Sequence, residues 1–277
     1  MKRYRRLFAV SVAAAFASLA LLASAAQAAP PAPPYEDFAG CPSVEENSFV
    51  GGCLKVTFTG GHVELGKRDV PISNPITLRG GFEGITGDFI ANSEGGMLPA
   101  KQPVPGGVFG LTGYKWLDEL FSHEQLKLFA TFELAGQPGS VFEPDLTLPV
   151  KVHLESPVLG KKCYVGSNAN PIQLVLTTGT TNPPPPNGPI SGTPAGELAP
   201  EPGREEVLTS TEDGTFVDNA YAVPGANGCK LKVGQFELPF SIDNAINNIN
   251  GLPAPAGTNT AELDFAQSIV SPEVVYP

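Results

Sequence analysis

The chain has 277 residues, with 17 Lys and Arg against 28 Asp and Glu. Four of the basic residues and none of the acidic ones lie in residues 1–28, so the remainder holds 13 basic against 28 acidic side chains, a net charge of −15. A charge of this sign repels a phosphate backbone and an anionic lipid surface, so we expect no nucleic-acid partner. The 31 Gly and 29 Pro follow no period, which is typical of turns in an all-β protein.

The first 28 residues have the three parts of a secretory signal peptide. A basic start, "MKRYRR", precedes an apolar run from Leu7 to Ala26, and Ala26-Gln27-Ala28 fits a cleavage site. The alternative is an N-terminal membrane anchor. We expect a secreted or extracellular protein, free or associated with the cell envelope, without an integral membrane segment in the mature chain.

Alternating apolar and polar residues predict most of the fold. In "CLKVTFTGG", Leu54, Val56 and Phe58 share one face of a strand. The same alternation recurs in residues 126–134, 148–154, 172–176 and 261–265. We therefore predict a mainly β fold, an antiparallel sandwich or a barrel-like sheet, with one or two short helices and long Gly/Pro-rich loops. It would occupy residues 41–277, after a disordered Pro-rich N-terminus at 29–40.

Two segments resemble each other within the chain. "LGKRDVPISNPITL" (65–78) and "LGKKCYVGSNANPIQL" (159–174) share a Leu-Gly-Lys start and an Asn-Pro-Ile-x-Leu end. Each predicts a hairpin whose second strand begins after a Pro-fixed turn. Either the match is a coincidence and the region is a single domain, or two similar β-lobes meet near residues 135–145.

Helix signals are few. Residues 113–125 place Trp116 on an apolar helical stripe, and residues 241–253 space Ile242, Ile246 and Ile249 at helical intervals. Ser241 is the predicted N-cap of the second helix, and Gly251 with Pro253 would end it.

The four cysteines, an even number in a chain with an export signal, predict two disulfides. Three pairings are possible. We favour Cys41–Cys53, which closes a short loop, with Cys163–Cys229, which closes a long one. Chain-entropy estimates give about 3 and 4 kcal/mol of stabilisation.

A Pro-rich segment, residues 179–206, lies inside the longer disulfide loop. Its four consecutive prolines in "TTNPPPPNGP" predict a stiff, extended excursion that leaves and re-enters the same domain. A domain linker is the alternative. After it, Asp213-Gly214 in "TEDGT" predicts a hairpin turn.

No catalytic motif is present. The sequence lacks Gly-x-Ser-x-Gly, His-Glu-x-x-His and a phosphate-binding Gly-Lys-Ser/Thr loop. We therefore assign no catalytic, cofactor-binding or metal-binding residues and expect no cofactor. Two acids from distant strands would suffice for a hydrolase, and the candidates are Glu133, Glu143, Asp145 and Glu155. His62, His123 and His153 have no metal-ligand spacing. Tyr114 and Trp116 are a possible platform for a sugar ligand, with core packing as the alternative for Trp116.

The runs "KKCYVGSNANPIQLVLTTGTTNPPPPNGPISG" and "VDNAYAVPGANGC" resemble a group of uncharacterised secreted proteins of actinobacteria. The shared pattern is Cys-Tyr-x-Gly-Ser, Asn-Pro-Ile, a Thr/Pro-rich loop and Val-Pro-Gly-Ala-x-Gly-Cys. The resemblance covers residues 160–230 best. It implies no established activity and no site residues, but it supports the pairing of Cys163 with Cys229.

Three functions are compatible with these features. The first is an exported, non-catalytic structural or interaction protein, whose unknown partner would be an envelope protein or a glycan. The second is a binding module for a carbohydrate or a lipid, which exposed aromatic residues or a large apolar cavity would favour. The third is a secreted hydrolase that uses paired carboxylates.

Overall fold

The computed structural model describes residues 30–107, 127–141 and 145–277. These residues contain seventeen strands, a 3₁₀ helix at Glu36–Phe38 and two α-helices, α1 (Asp243–Asn250) and α2 (Pro272–Val275). The strands are β1 (Val50–Leu65), β2 (Arg68–Pro71), β3 (Ile76–Glu83), β4 (Phe89–Ile90), β5 (Gly96–Met97), β6 (Lys101–Pro103), β7 (Phe129–Leu134), β8 (Asp145–Glu155), β9 (Tyr164–Val165), β10 (Ile172–Thr177), β11 (Leu198–Glu201), β12 (Arg204–Ser210), β13 (Gly214–Asp218), β14 (Ala226–Asn227), β15 (Lys230–Val233), β16 (Phe236–Ser241) and β17 (Ala261–Val270).

The predicted mainly β, antiparallel fold is confirmed. The main path of one large sheet runs β14-β9-β8-β10-β13-β17-β1-β3-β4. The alternating patterns correspond to β1, β7, β8, β10 and β17 of this sheet, and the central pairs are antiparallel. Only β15 and β16 form a separate sheet in the described part of the chain.

Hydrogen bonds through residues 139–141 link the two outer regions of this path and make the sheet barrel-like. The N–H of Phe89, on β4, donates to the carbonyl of Gly139 over 3.3 Å. The N–H of Gly139 donates to the carbonyl of Thr147, on β8, over 2.9 Å. Side chains of β1, β3, β8, β10 and β17 therefore face one common interior.

That interior is closely packed. Phe58, Leu78, Leu148, Ile172 and Phe265 are all at most 2% exposed. The void that remains among the interior side chains is only about 20 Å³, room for one water molecule at most. The barrel-like sheet is thus filled by its own residues and leaves no room for a ligand at its centre.

The start of β1 is closed by a second apolar cluster, which we call the closed end. It consists of Phe38, Cys41, Cys53, Val207, Val270 and Val275, all at most 5% exposed. The disorder predicted for residues 29–40 is wrong at this point, because Phe38 is fully buried and the 3₁₀ helix packs against the sheet. Arg204 adds an ion pair to Asp37 over 2.8 Å, and Lys55 contacts the same carboxylate.

The cysteines join in the favoured pairing, Cys41–Cys53 and Cys163–Cys229. The first disulfide belongs to the closed end. The second links the segment before β9 to the start of β15, at the far end of the sheet.

The Pro-rich segment leaves β10 and returns to β12 and β13 of the same sheet. The segment also pairs along its length, because it contains β11 and isolated bridges that pair Thr180 with Ser191 and Thr193 with Thr215. A Cβ at Gly257 would lie only 2.1 Å from the carbonyl oxygen of Pro184, so this glycine lets the segment pack closely. The predicted Asp213-Gly214 hairpin is wrong, since β12 and β13 do not pair with each other but both pair with β17.

The two similar segments follow the same path in space. In each, a long strand is followed by a short return strand and then, after an Asn-Pro step, by a strand that starts at an Ile. The short strands β2 and β9 pair with the long strands β1 and β8, as do the following strands β3 and β10. The shared sequence pattern thus accompanies a shared local topology.

Candidate functional site

The end of β1 opposite the closed end borders an apolar cavity of about 470 Å³. Of its eighteen described lining residues, fifteen are apolar, and the other three are Arg68, Lys232 and Asn250. Buried aliphatic side chains of the sheet, among them Leu65, Val70 and Val165, form its floor at 1–3% exposure. We call this region the cavity end.

Helix α1 covers one side of the cavity. The predicted helix is confirmed, and the apolar stripe of Ile242, Ile246 and Ile249 lines the cavity. No residue of α1 is fully buried, although its apolar face points at the protein. Ile242 and Ile246 pack against the edge of the core but stay only partly buried, so the helix covers the cavity without filling it.

Both ends of α1 are fixed by hydrogen bonds. Asp243 Oδ1 accepts from the N–H of Cys229 over 2.7 Å, and the carbonyl of Asn250 accepts from the N–H of Lys67 over 2.8 Å. The predicted cap Ser241 lies one residue before the first residue flanking the helix, Ile242, and its Oγ accepts a hydrogen bond from the N–H of Asp243 over 3.1 Å. The predicted stop at Gly251 is confirmed, with φ at +65° in the left-handed region that glycine adopts readily. The space under the helix is thus held open from two sides.

The hairpin β15–β16 covers another side. Leu231 and Val233 of this hairpin line the cavity. Two backbone hydrogen bonds attach β15 to residues 158–160. The N–H of Lys232 donates to the carbonyl of Val158 over 2.8 Å, and the N–H of Gly160 donates to the carbonyl of Lys230 over 2.9 Å. The Cys163–Cys229 disulfide anchors the chain directly before this hairpin. The mouth of the cavity lies between the hairpin and α1, where Val233 and Ile249 are 64% and 47% exposed.

Arg68 is the buried polar group of the cavity wall, at 8% exposure. Its Nε donates to Asn250 Oδ1 over 2.9 Å, and its guanidinium donates to the carbonyl of Pro105 over 3.0 Å. These bonds connect β2 to the C-terminal end of α1. Arg68 therefore positions the wall of the cavity.

Three of the candidate carboxylates of the hydrolase hypothesis, Glu133, Asp145 and Glu155, do not line this cavity. Glu133 lies within 3.5 Å of Lys151 and within 3.6 Å of His153, and Glu155 lies 3.0 Å from Lys101. Burial raises the pKa of Glu155, but hydrogen bonds from Lys101 and Thr131 outweigh it and hold the pKa below its ordinary value. A general acid of a glycosidase needs the opposite shift. Asp145 is exposed at the start of β8, and Glu143 lies outside the described residues.

In the described part of the chain, Asp218 is the carboxyl group with a raised pKa. It is 2% exposed, and burial raises its pKa while hydrogen bonds from the N–H groups of Ala220 and Val175 oppose the shift. Those bonds are 2.8 and 2.7 Å long. The carboxylate joins β13 to β10, which is a structural task.

The remaining candidate residues, the histidines and the aromatic pair, do not form a site in the described part of the chain. His62 and His153 lie on different strands, His123 lies outside the described residues, and the described part of the chain holds no group of three or more metal-ligating side chains. Tyr114 and Trp116, the predicted ligand platform, also lie outside the described residues, as does the helix predicted at 113–125. Among the helices that the structure describes, none has the length and apolar character needed to cross a membrane.

Comparison with known proteins gave no match: no family model matches the chain, and neither do the curated proteins or the solved structures. The site is therefore interpreted from its own geometry and chemistry.

Proposed function

We propose that the protein is exported and binds a lipid-like molecule, with its apolar part in the cavity end, without catalysing a reaction on it. The observation that carries this proposal is the apolar cavity of about 470 Å³. This volume lies within the range of about 300–1,000 Å³ that is usual for small-molecule sites. Of the functions compatible with the sequence, this proposal is the lipid-binding form of the binding module.

The chemistry of the walls supports an apolar occupant. Water needs two to four polar partners to be held in a cavity, and fifteen of the eighteen described lining residues offer none through their side chains. Each CH₂ group that leaves water for such a site contributes about 0.8 kcal/mol. An acyl chain gains more from this space than water does.

The covering elements support the same proposal. The isoleucine stripe of α1 faces the cavity, yet none of its residues is fully buried. A ligand in the cavity would complete the burial of Ile242, Ile246 and Ile249, which the protein alone leaves incomplete.

Export is supported by the signal-peptide pattern of residues 1–28 and by two disulfides, which persist in oxidising compartments. Kinship with secreted actinobacterial proteins, and association with the cell envelope, belong to the same proposal.

The proposal can be tested with a fluorescent fatty acid, cis-parinaric acid, titrated into the protein and then displaced by palmitate. Val165→Phe places an aromatic ring in the cavity, where Val165 is 2% exposed. We expect at least a tenfold loss of affinity in this variant, because the ring occupies the volume that the chain needs.

The matched control is Val175→Phe, the same substitution at a site on β10 that is 48% exposed and outside the cavity. It should bind as the unmodified protein does. Absence of saturable binding, or equal affinities in the two variants, would contradict the proposal.

A second function, contact with another macromolecule, is supported by a separate observation. The hairpin β15–β16 presents Phe236 and Phe240 to solvent, at 80% and 52% exposure. Exposed apolar surface of this kind marks contact sites in soluble proteins.

A further inference from the structure

The hairpin β15–β16 projects apolar side chains next to the cavity mouth. Val233 and Phe236 face each other across its turn, and Gly234 in the turn has a φ of +61°. Nine large apolar side chains are exposed in the described residues, and four of them lie between residues 233 and 249. Those four are Val233, Phe236, Phe240 and Ile249.

This exposed surface is continuous with the cavity. Val233 and Ile249 are exposed and also line the cavity, so apolar surface extends from the interior of the site to the hairpin. A partner that contacts the hairpin would therefore also meet the cavity mouth.

The surroundings of the hairpin are basic, although the chain as a whole is acidic. Lys230 and Lys232 lie on β15, and Lys161 and Lys162 lie on the adjoining segment that bonds to it. The acids nearby accept backbone hydrogen bonds, Glu237 from Lys161 N–H over 3.2 Å and Asp243 from Cys229 N–H over 2.7 Å. Four lysines thus stand against two carboxylates in these two segments, whereas residues 29–277 carry −15.

The negative net charge of the protein does not prevent the hairpin from approaching an anionic surface. The Debye length at physiological ionic strength is about 8 Å, so acidic residues at the closed end are screened from a surface that contacts the hairpin. Lysines beside exposed phenylalanines match a surface with anionic head groups above an apolar layer.

A strand from another protein fits the hairpin less well. The outer edge of β16 has no strand partner in the described residues, but Pro239 lies in its middle and supplies no N–H to a ladder. Proline on an edge strand opposes edge-to-edge pairing.

We propose that the hairpin β15–β16 docks the protein on bilayers that contain anionic lipids. Phe236 and Phe240 enter the interfacial layer, and Lys230 and Lys232 contact the head groups. Docking of this kind places the cavity mouth at the lipid surface. The proposal stands on the hairpin alone and holds whether or not the cavity binds a ligand.

Flotation with lipid vesicles tests the proposal, using the protein purified after export by a bacterial host. We expect binding to vesicles of phosphatidylcholine with phosphatidylglycerol, weaker binding to phosphatidylcholine alone, and a decrease with added salt. Phe236→Ala with Phe240→Ala should weaken binding at least tenfold. Lys230→Gln with Lys232→Gln should reduce the salt dependence, and the part that remains is assigned to Lys161 and Lys162.

Phe49→Ala with Ile85→Ala is the matched control, since these side chains are 68% and 87% exposed and lie away from the hairpin. This variant should bind vesicles normally. Val165→Phe should also bind normally, so that a failure of docking is distinguished from a failure of the cavity proposal.

Absence of vesicle binding, or equal binding by the Phe236→Ala, Phe240→Ala variant, would overturn the proposal. A dimer that sedimentation detects in the unmodified protein and that this variant loses would also overturn it, because a second copy would then cover the hairpin.

Discussion

The two ends of β1 are closed in different ways. Its first residues belong to the closed end, where Phe38, Val207 and Val275 are all fully buried around the Cys41–Cys53 disulfide. Its last residue, Leu65, borders a cavity of about 470 Å³ beneath a helix and a hairpin that the Cys163–Cys229 disulfide anchors. Each end has a disulfide and aliphatic side chains. Among the described residues, the difference is that side chains fill one end and only cover the other.

This contrast teaches that apolar composition does not by itself make a core. The residues of the closed end come from the N-terminal segment, β1, β12, β17 and α2, and they pack against one another. At the cavity end, α1 and β15–β16 are attached by hydrogen bonds at their ends and by a disulfide, which leaves their apolar faces apart. Stability should therefore depend strongly on side-chain volume at the closed end and weakly at the cavity end.

The two ends should differ most in how much stability is lost when a large side chain is truncated to alanine. Phe38→Ala at the closed end should lower the free energy of unfolding by about 3–5 kcal/mol, because a fully buried ring leaves a void. Leu159→Ala in the cavity wall should cost no more than about 2 kcal/mol, because that side chain already lacks neighbours on one side. Denaturant unfolding of both variants measures the difference. Equal losses would break the contrast.

Added volume should separate the two ends in a second way. Val207→Phe at the closed end should cost about 1–3 kcal/mol through overpacking. Val165→Phe should cost less than about 0.5 kcal/mol, because the new ring enters existing space. Thermal unfolding of the two variants checks this. A cavity variant as unstable as Val207→Phe would mean that the space is not available to added atoms.

The smallest expected effect is a pH dependence confined to the closed end. Burial raises the pKa of Asp37, but hydrogen bonds from Arg204 and Lys55 outweigh it, so its pKa is below the ordinary value. Its contribution to stability is therefore present above the unfolded-state pKa of about 3.9 and is lost as pH falls through the lower folded-state value. Since the carboxylate is partly exposed, we expect at most about 1 kcal/mol.

Unfolding of Asp37→Asn beside the unmodified protein, at pH 7 and at pH 3, measures this effect. The difference between the two proteins should be present at pH 7 and smaller at pH 3. A difference that grows on acidification would show that the ion pair to Arg204 does not stabilise the native state.

The sequence predicted what depends on local pattern. Alternation identified the strands that carry Leu54, Leu148 and Leu174, and helical spacing identified the isoleucine stripe of α1. The favoured disulfide pairing also agrees with the structure. The strand and helix patterns extend over only a few neighbouring residues, and the disulfide pairing was a choice among three possibilities.

The errors concern partners that are distant along the chain. Phe38 is ordered because it meets Val275, more than 200 residues later, and Asp213-Gly214 makes no hairpin because β17 accepts both flanking strands. The cavity has the same origin, since its walls come from six or more separated segments. The stripe Ile242, Ile246, Ile249 was its one readable sign, and the sequence alone cannot tell a stripe that covers a cavity from one that packs on a core.

A titration of palmitate followed by ¹³C-methyl NMR tests the central claim most directly, because methyl groups of Ile, Leu and Val report separately on the cavity and on the packed interior. We predict saturable shift changes at Val165, Ile246 and Ile249, with Ile76 and Val150 of the interior unaffected. No shift change at saturating palmitate, or changes spread equally over both groups, would contradict a ligand site at the cavity end.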